Sequence, residues 1–168
     1  MDSMKKFLYK ALITSLGVLT VIPANAETNP PSIMTGDCDA TISDILLGIS
    51  NRGAIIEYIQ KKDARSEPGN PFPGSESLTI VLNGSGNGSS DPKKAQQVAK
   101  NILMSDKLNY AWAKQTINAC HHIAIVGFGM WQTGWLNSFY RFSDGQVRPR
   151  VCTRSIETSE SWGFGWCD

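Results

Sequence analysis

KLNYAWAKQTINACHHIAIVGFGMWQTGWLNSFYRFSDGQVRPRVCTRSIETSESWGFGWCD, residues 107–168, decides the fold. It holds three of the four cysteines, all five tryptophans and both histidines. It reads as one helix, Lys107–Ala119, followed by four strands: His122–Met130, Leu136–Ser143, Gln146–Glu157 and Trp162–Cys167. In the first strand both alternating faces are apolar, Ala124, Val126 and Phe128 on one and Ile123 and Ile125 on the other, which marks a central strand. In the second, Leu136, Tyr140 and Phe142 form the inner face. Asp144-Gly145 then reads as a two-residue hairpin turn that favours positive φ.

The last two strands read as a hairpin. If Thr158–Ser161 is its loop, Glu157 faces Trp162, Ser155 faces Phe164, Thr153 faces Trp166 and Cys152 faces Cys167. Directly opposed residues have Cα atoms about 4.5–5.5 Å apart, within the disulfide range. Val147, Val151, Trp162, Phe164 and Trp166 then share the inner side. Arg148, Arg150, Arg154, Gly163, Gly165 and both cysteines share the outer one. This pairs Cys152–Cys167, a short loop worth ~3 kcal/mol in the chain-entropy model, and leaves Cys38–Cys120 as the second bridge. The rival Cys120–Cys152 fits a plain meander poorly, because it joins points too far apart along two strands.

Working back towards the N-terminus, Ser105 caps the 107–119 helix, whose inner face is Leu108, Trp112, Ile117 and Thr116. Asp91-Pro92 opens a preceding helix with a cap and a proline at its first position. Its apolar stripe is Ala95, Val98, Ala99, Ile102 and Leu103. Asn83–Ser90 (NGSGNGSS) reads as a flexible polar turn: its glycines do not match G-x-G-x-x-G, and G-K-[ST] is missing. Leu78–Asn83 is a strand with Leu78, Ile80 and Leu82 buried. Arg65–Ser77, rich in Pro and Gly, is a surface loop. Thr41-Ile42-Ser43-Asp44 opens a helix. Ile42, Ile45, Leu46 and Ile49 repeat at helical spacing and Ile55, Ile56 and Ile59 resume it, so two short helices or one bent helix are expected, with close packing at Gly48 and Gly53.

Residues 1–26 read as a signal peptide. Lys5, Lys6 and Lys10 precede the apolar run Ala11–Val21, and Pro23-Ala24-Asn25-Ala26 supplies a cleavage signature. The run falls short of the ~20 residues a spanning helix needs, and no later run could cross a membrane. Residues 27–36 read as a flexible leader and 37–168 as a single domain. Losing Lys5, Lys6, Lys10 and Asp2 with the leader takes the formal charge from +1 to −1. That balance gives no pull towards nucleic acid. Export with an even cysteine count implies two disulfides and a secreted or periplasmic home.

The order of features from residue 78 to 152 resembles a group of small exported cyanobacterial proteins of unassigned function. The matching residues are Leu78-Thr-Ile-Val-Leu82, Ala111-Trp-Ala-Lys114 ahead of Ile117 and Cys120, Ile123-Ala-Ile-Val-Gly-Phe-Gly129, Gln132-Thr-Gly-Trp135, and Asp144-Gly145 ahead of Cys152. The resemblance implies export and a small α+β domain, and transfers no catalytic residue. A Cys at both 120 and 152 in that pattern favours Cys120–Cys152.

Candidate chemistry is sparse. Cys120-His121-His122 could serve a metal or a general base, but adjacent strand residues point to opposite faces. There is no C-x-x-C, no G-x-S-x-G and no paired carboxylates on a common face. Neither a metal nor a cofactor is expected. Trp131 and Trp135 flank an exposed turn and are candidate ligand contacts. Arg148, Arg150 and Arg154 form a basic stripe that could meet an anionic glycan, a lipid headgroup or an acidic protein; the ordinary reading is a solvated face that discourages edge pairing.

The expectation is an α+β fold, an antiparallel sheet packed on helices in two layers and disulfide-bonded. Its role reads as a non-enzymatic binding or envelope-associated domain whose partner is a cell-envelope glycan or another exported protein. The alternative is a small exported hydrolase using His121 or His122.

Overall fold

The computed structural model describes residues 37–153 and 161–166. The expected signal peptide and leader, Arg154, Ser155, Glu157 and Cys167 lie outside the described residues. The elements, in order, are α1 (Cys38–Asn51), β1 (Ile56–Asp63), β2 (Glu76–Leu82), α2 (Pro92–Leu103), α3 (Asp106–Ala119), β3 (Ile123–Met130), β4 (Leu136–Arg141), β5 (Val147–Pro149), β6 (Val151–Thr153) and β7 (Phe164–Trp166). No described helix is long and apolar enough to cross a membrane.

β1 to β5 form one sheet in chain order. All neighbours are antiparallel except β2 and β3. That parallel pair needs a long crossover, which α2 and α3 provide. The α+β, two-layer reading therefore holds, with one parallel pair inside an otherwise antiparallel sheet. The main core lies between the helices and one sheet face. Ile45 and Ile49 of α1, Ile102 and Leu103 of α2, and Trp112 and Ile117 of α3 pack against Leu78, Ile80, Leu82, Val126, Phe128 and Phe139. Period 2 in the strands meets period 3.6 in the helices.

Cys38, in the first turn of α1, is bonded to Cys120 at the end of α3, with Cα atoms 4.8 Å apart. Cys152 is also disulfide-bonded; Cys167, its expected partner, lies outside the described residues. Such bonds fit an oxidising compartment.

Local chemistry explains most boundaries. Asp91 accepts a hydrogen bond from Lys94 N at 3.1 Å, capping α2 ahead of Pro92. Ser105 caps α3 by position, without a side-chain bond. α1 starts earlier than expected. Asp37, which accepts from Asp39 N, is its cap, and Thr41 is buried inside the helix, its N donating to Asp37 O.

Several expectations are corrected. Ile55–Ile59 does not continue a helix. α1 ends at Asn51, Gly53 follows at φ 91° with open space around it rather than close packing, and Ile56–Asp63 pairs along β2 as an edge strand. Apolar spacing matched a helix there, but backbone pairing with β2 won.

In β4, Phe139 faces the helices, while Leu136 is 49% exposed and Tyr140 belongs to a second cluster on the opposite face. The Asp144-Gly145 turn is longer than two residues. Gly145 N bonds Phe142 O, Phe142 N bonds Gln146 O, and only Gly145 of the pair has positive φ.

The long strand expected from Gln146 is interrupted just past Pro149: Arg150 N still donates to Ser138 O at 2.7 Å, and the paired strand goes no further along β4. The last hairpin is not antiparallel: β6 pairs parallel with β7, Val151 against Phe164 and Cys152 against Gly165. Of the expected inner residues, Val147 and Trp162 are buried, but Val151 and Phe164 are exposed. Beyond Arg150 the chain leaves the sheet, and Trp162 packs separately against Tyr140 and Phe72.

Candidate binding cleft on the open face of the sheet

The face turned away from the helices carries the intervening residues of the same strands. Pairing sets them in rows. Tyr58, Val81, Gly129 and Leu136 form one; Gln60, Thr79, Gly127 and Ser138 the next; Lys62, Ser77, Ile125, Tyr140 and Arg148 the third. Gly127 and Gly129 put no side chain between β2 and β4, so the middle of the face sinks into a trough. The resulting cavity has a volume of about 510 Å³, within the range of small-ligand sites. Leu136 leans over it; a Cβ at Gly127 would lie 3.1 Å from Leu136 Cδ1.

The upper rim is the β3–β4 turn. Trp131, 42% exposed, meets Tyr58 edge-on with ring centroids 5.5 Å apart. The turn is held by Trp131 N donating to Leu82 O (2.9 Å), Met130 N to Trp135 O (3.1 Å) and Thr133 Oγ1 to Met130 O (3.0 Å). Gln132 adopts φ 61°, a conformation that non-glycine residues seldom hold. Trp135 Nε1 donates to Asn137 Oδ1 (3.3 Å), and Asn137 Nδ2 to Leu103 O (2.6 Å). The rim is thereby tied to the end of α2.

The lower end carries charge: Lys62, Glu67 and Arg150 line it with Tyr140. Burial pushes the Tyr140 phenol above its ordinary pKa; the Glu67 carboxylate adds to this and the Arg150 guanidinium opposes it. Below Tyr140, Trp162 closes the face. Its ring meets Tyr140 edge-on at 5.1 Å and Phe72 at 6.2 Å, and its Nε1 donates to Arg141 O at 2.7 Å. Arg141 lies over Phe72 at 4.0 Å and donates to His121 O at 2.9 Å; burial lowers its pKa.

The cleft brings together three of the residues expected from the sequence, Trp131, Trp135 and Arg150. Arg148 shares the face, but pairs with Asp144 and lies over the Phe142 ring. The N–H of Gln146 and the Arg148 guanidinium hold the Asp144 carboxyl below the ordinary range. Arg154 lies outside the described residues. His121 and His122 are exposed on the turn before β3 and line no part of the cavity. Among the described residues no group of three or more His, Cys, Asp and Glu could hold a metal ion.

The glycine-rich loop is not a loose turn. Asn83 Oδ1 accepts from Ser85 N, Ser85 Oγ and Gly86 N, while its Nδ2 donates to Glu57 at 2.8 Å. Those occupied N–H groups are unavailable to a phosphate.

The sequence reading missed Tyr58, Gln60, Thr79, Gly127, Gly129 and Ser138. Their signal was the complement of the core pattern: polar Ser77 and Thr79 between Leu78 and Ile80, and glycines alternating with Val126 and Phe128. Comparison with family models, with curated proteins and with solved structures finds no match to this chain.

Proposed function

We propose that this protein is an exported, non-enzymatic binding domain of the cell envelope, which holds a glycan chain in the trough of its open sheet face. We place it with the small exported cyanobacterial proteins that residues 78–152 resemble, in the periplasm or outside the cell. The observation that carries the reading is the asymmetry of the sheet. One face is buried under three helices, and the other presents a trough with Tyr58 and Trp131 at one end, bordered by the half-buried Trp135, and Lys62 and Arg150 at the other.

Such a surface suits sugars. Aromatic rings offer apolar faces to pyranose C–H groups, and Gln60, Ser77, Thr79 and Ser138 can exchange hydrogen bonds with hydroxyls. The leader and the disulfide-bonded cysteines support the location. Because both imidazoles stand outside the cleft, hydrolysis through His121 or His122 has no observation in its favour. Sedimentation of the protein with cell-wall polysaccharide tests the reading. Retention is expected, with a loss of about tenfold in affinity in Trp131→Ala. Wild-type protein that stays in the supernatant would overturn it.

A further inference from the structure

A second cavity, of about 540 Å³, lies around the edge of the sheet. Its walls are Tyr110, Leu136, Phe139 and Pro149, and its rim includes Asp106, Lys107 and Arg150. It shares Leu136, Ser138 and Arg150 with the trough. The reason lies in the backbone. β5 pairs only with Phe139–Arg141, and Arg150 N makes one last bond to Ser138 O at 2.7 Å before the chain turns away. Among the described residues, Leu136 and Asn137 therefore have no strand beside them on that edge, and the two cavities meet at Leu136, Ser138 and Arg150.

We propose that the two cavities form one continuous cleft wrapped over the free end of β4, and that its ligand is an acidic glycan whose carboxylate meets Arg150 at the crossing. This deepens the glycan reading and rests on it. Charge complementarity selects the acidic chain: Lys62, Arg150 and Lys107 are strung along the path, against Glu67 and Asp106. Arg150 is set for the task. Its backbone is fixed by Ser138, and its guanidinium lies against Gly165, where a Cβ would displace it. A planar guanidinium held in place favours two-point contact with a carboxylate.

The test is titration calorimetry of the full chain with oligogalacturonides of three and six units and with neutral oligosaccharides of the same lengths. The acidic hexamer is expected to bind at least about tenfold more tightly than the acidic trimer and than the neutral hexamer. Arg150→Gln abolishes the preference for acid while keeping neutral binding. Tyr110→Ala and the exposed Lys107→Gln each reduce the gain from trimer to hexamer and leave the trimer unchanged; Lys107→Gln guards against a folding defect in Tyr110→Ala. Equal affinities for trimer and hexamer, or a length gain unaffected by both variants, would overturn the continuous cleft and leave the trough reading intact. Absence of acid preference would overturn the role of Arg150. If no oligosaccharide binds wild-type protein, both readings fall.

Discussion

Leu78, Ile80 and Leu82 are buried beneath the helices, while Ser77, Thr79 and Val81 of the same strand floor an open trough. β3 makes the contrast sharper. Val126 and Phe128 are fully buried, and the residues that alternate with them, Gly127 and Gly129, carry no side chain at all. The helix face gains stability from apolar area and from the bridge between α1 and α3. The open face carries a smaller core at one end, where Ile125, Tyr140 and Trp162 are buried, and polar and aromatic groups in the trough beside it. Its shape is dictated by what is missing between β2 and β4. On the proposed reading, stability and binding are divided between alternate residues of the same strands, so each can be perturbed separately.

The largest effect belongs to the helix side. Replacing both Cys38 and Cys120 with alanine opens a loop of 82 residues and is expected to lower unfolding free energy by about 4–5 kcal/mol in the chain-entropy model. The denaturant midpoint reads this, with glycan affinity unchanged wherever the protein remains folded. Next comes Phe128→Ala, which leaves a cavity beside Trp112 and Phe139 and costs about 3–5 kcal/mol. An equal loss of affinity in folded Phe128→Ala would blur the division of labour.

A smaller, pH-dependent effect sits on the open face. The Tyr140 phenol has its folded pKa raised. Its contribution is therefore complete below the ordinary tyrosine value of about 10 and is lost as pH rises towards the folded value. Tyr140→Phe should remove that part of the alkaline decline in melting temperature while leaving neutral stability nearly the same. The smallest change in stability is expected for Thr79→Ala, within about 0.5 kcal/mol, accompanied by weakened glycan binding. A large stability loss there would mean that the core around Tyr140 and Trp162 extends under the trough floor.

The helix face was legible because its signals are local. Leu78, Ile80 and Leu82 alternate, Asp91-Pro92 announces α2, and the spacing of Trp112, Thr116 and Ile117 announces α3. β1 was not legible: Ile55, Ile56 and Ile59 fit a helix, and an edge strand whose other residues are exposed gives no clean alternation. The parallel pairing of β2 and β3 depends on how two helices cross the sheet, which spacing alone does not encode. The cleft was half legible. Trp131, Trp135 and Arg150 stood out in the sequence, and of these Trp131 and Arg150 are exposed while Trp135 is half-buried against the helix-side core. Their partners Tyr58 and Gln60 sat in the misread strand, and Gly127 and Gly129 contribute by lacking a side chain. The C-terminal pairing went astray beyond Arg150, where the chain leaves β4 after one last bond to Ser138 O although the apolar alternation runs on.

The central claim is that the open sheet face is the binding face. Titrating 15N-labelled protein with an acidic oligosaccharide tests it most directly. The account predicts amide shifts concentrated on Thr79, Gly127, Gly129 and Ser138, with the Trp131 indole N–H moving alongside them and Lys93 and Lys114 on the helices unmoved. Shifts centred on the helices or on His121 and His122, with the glycines of β3 silent, would contradict it.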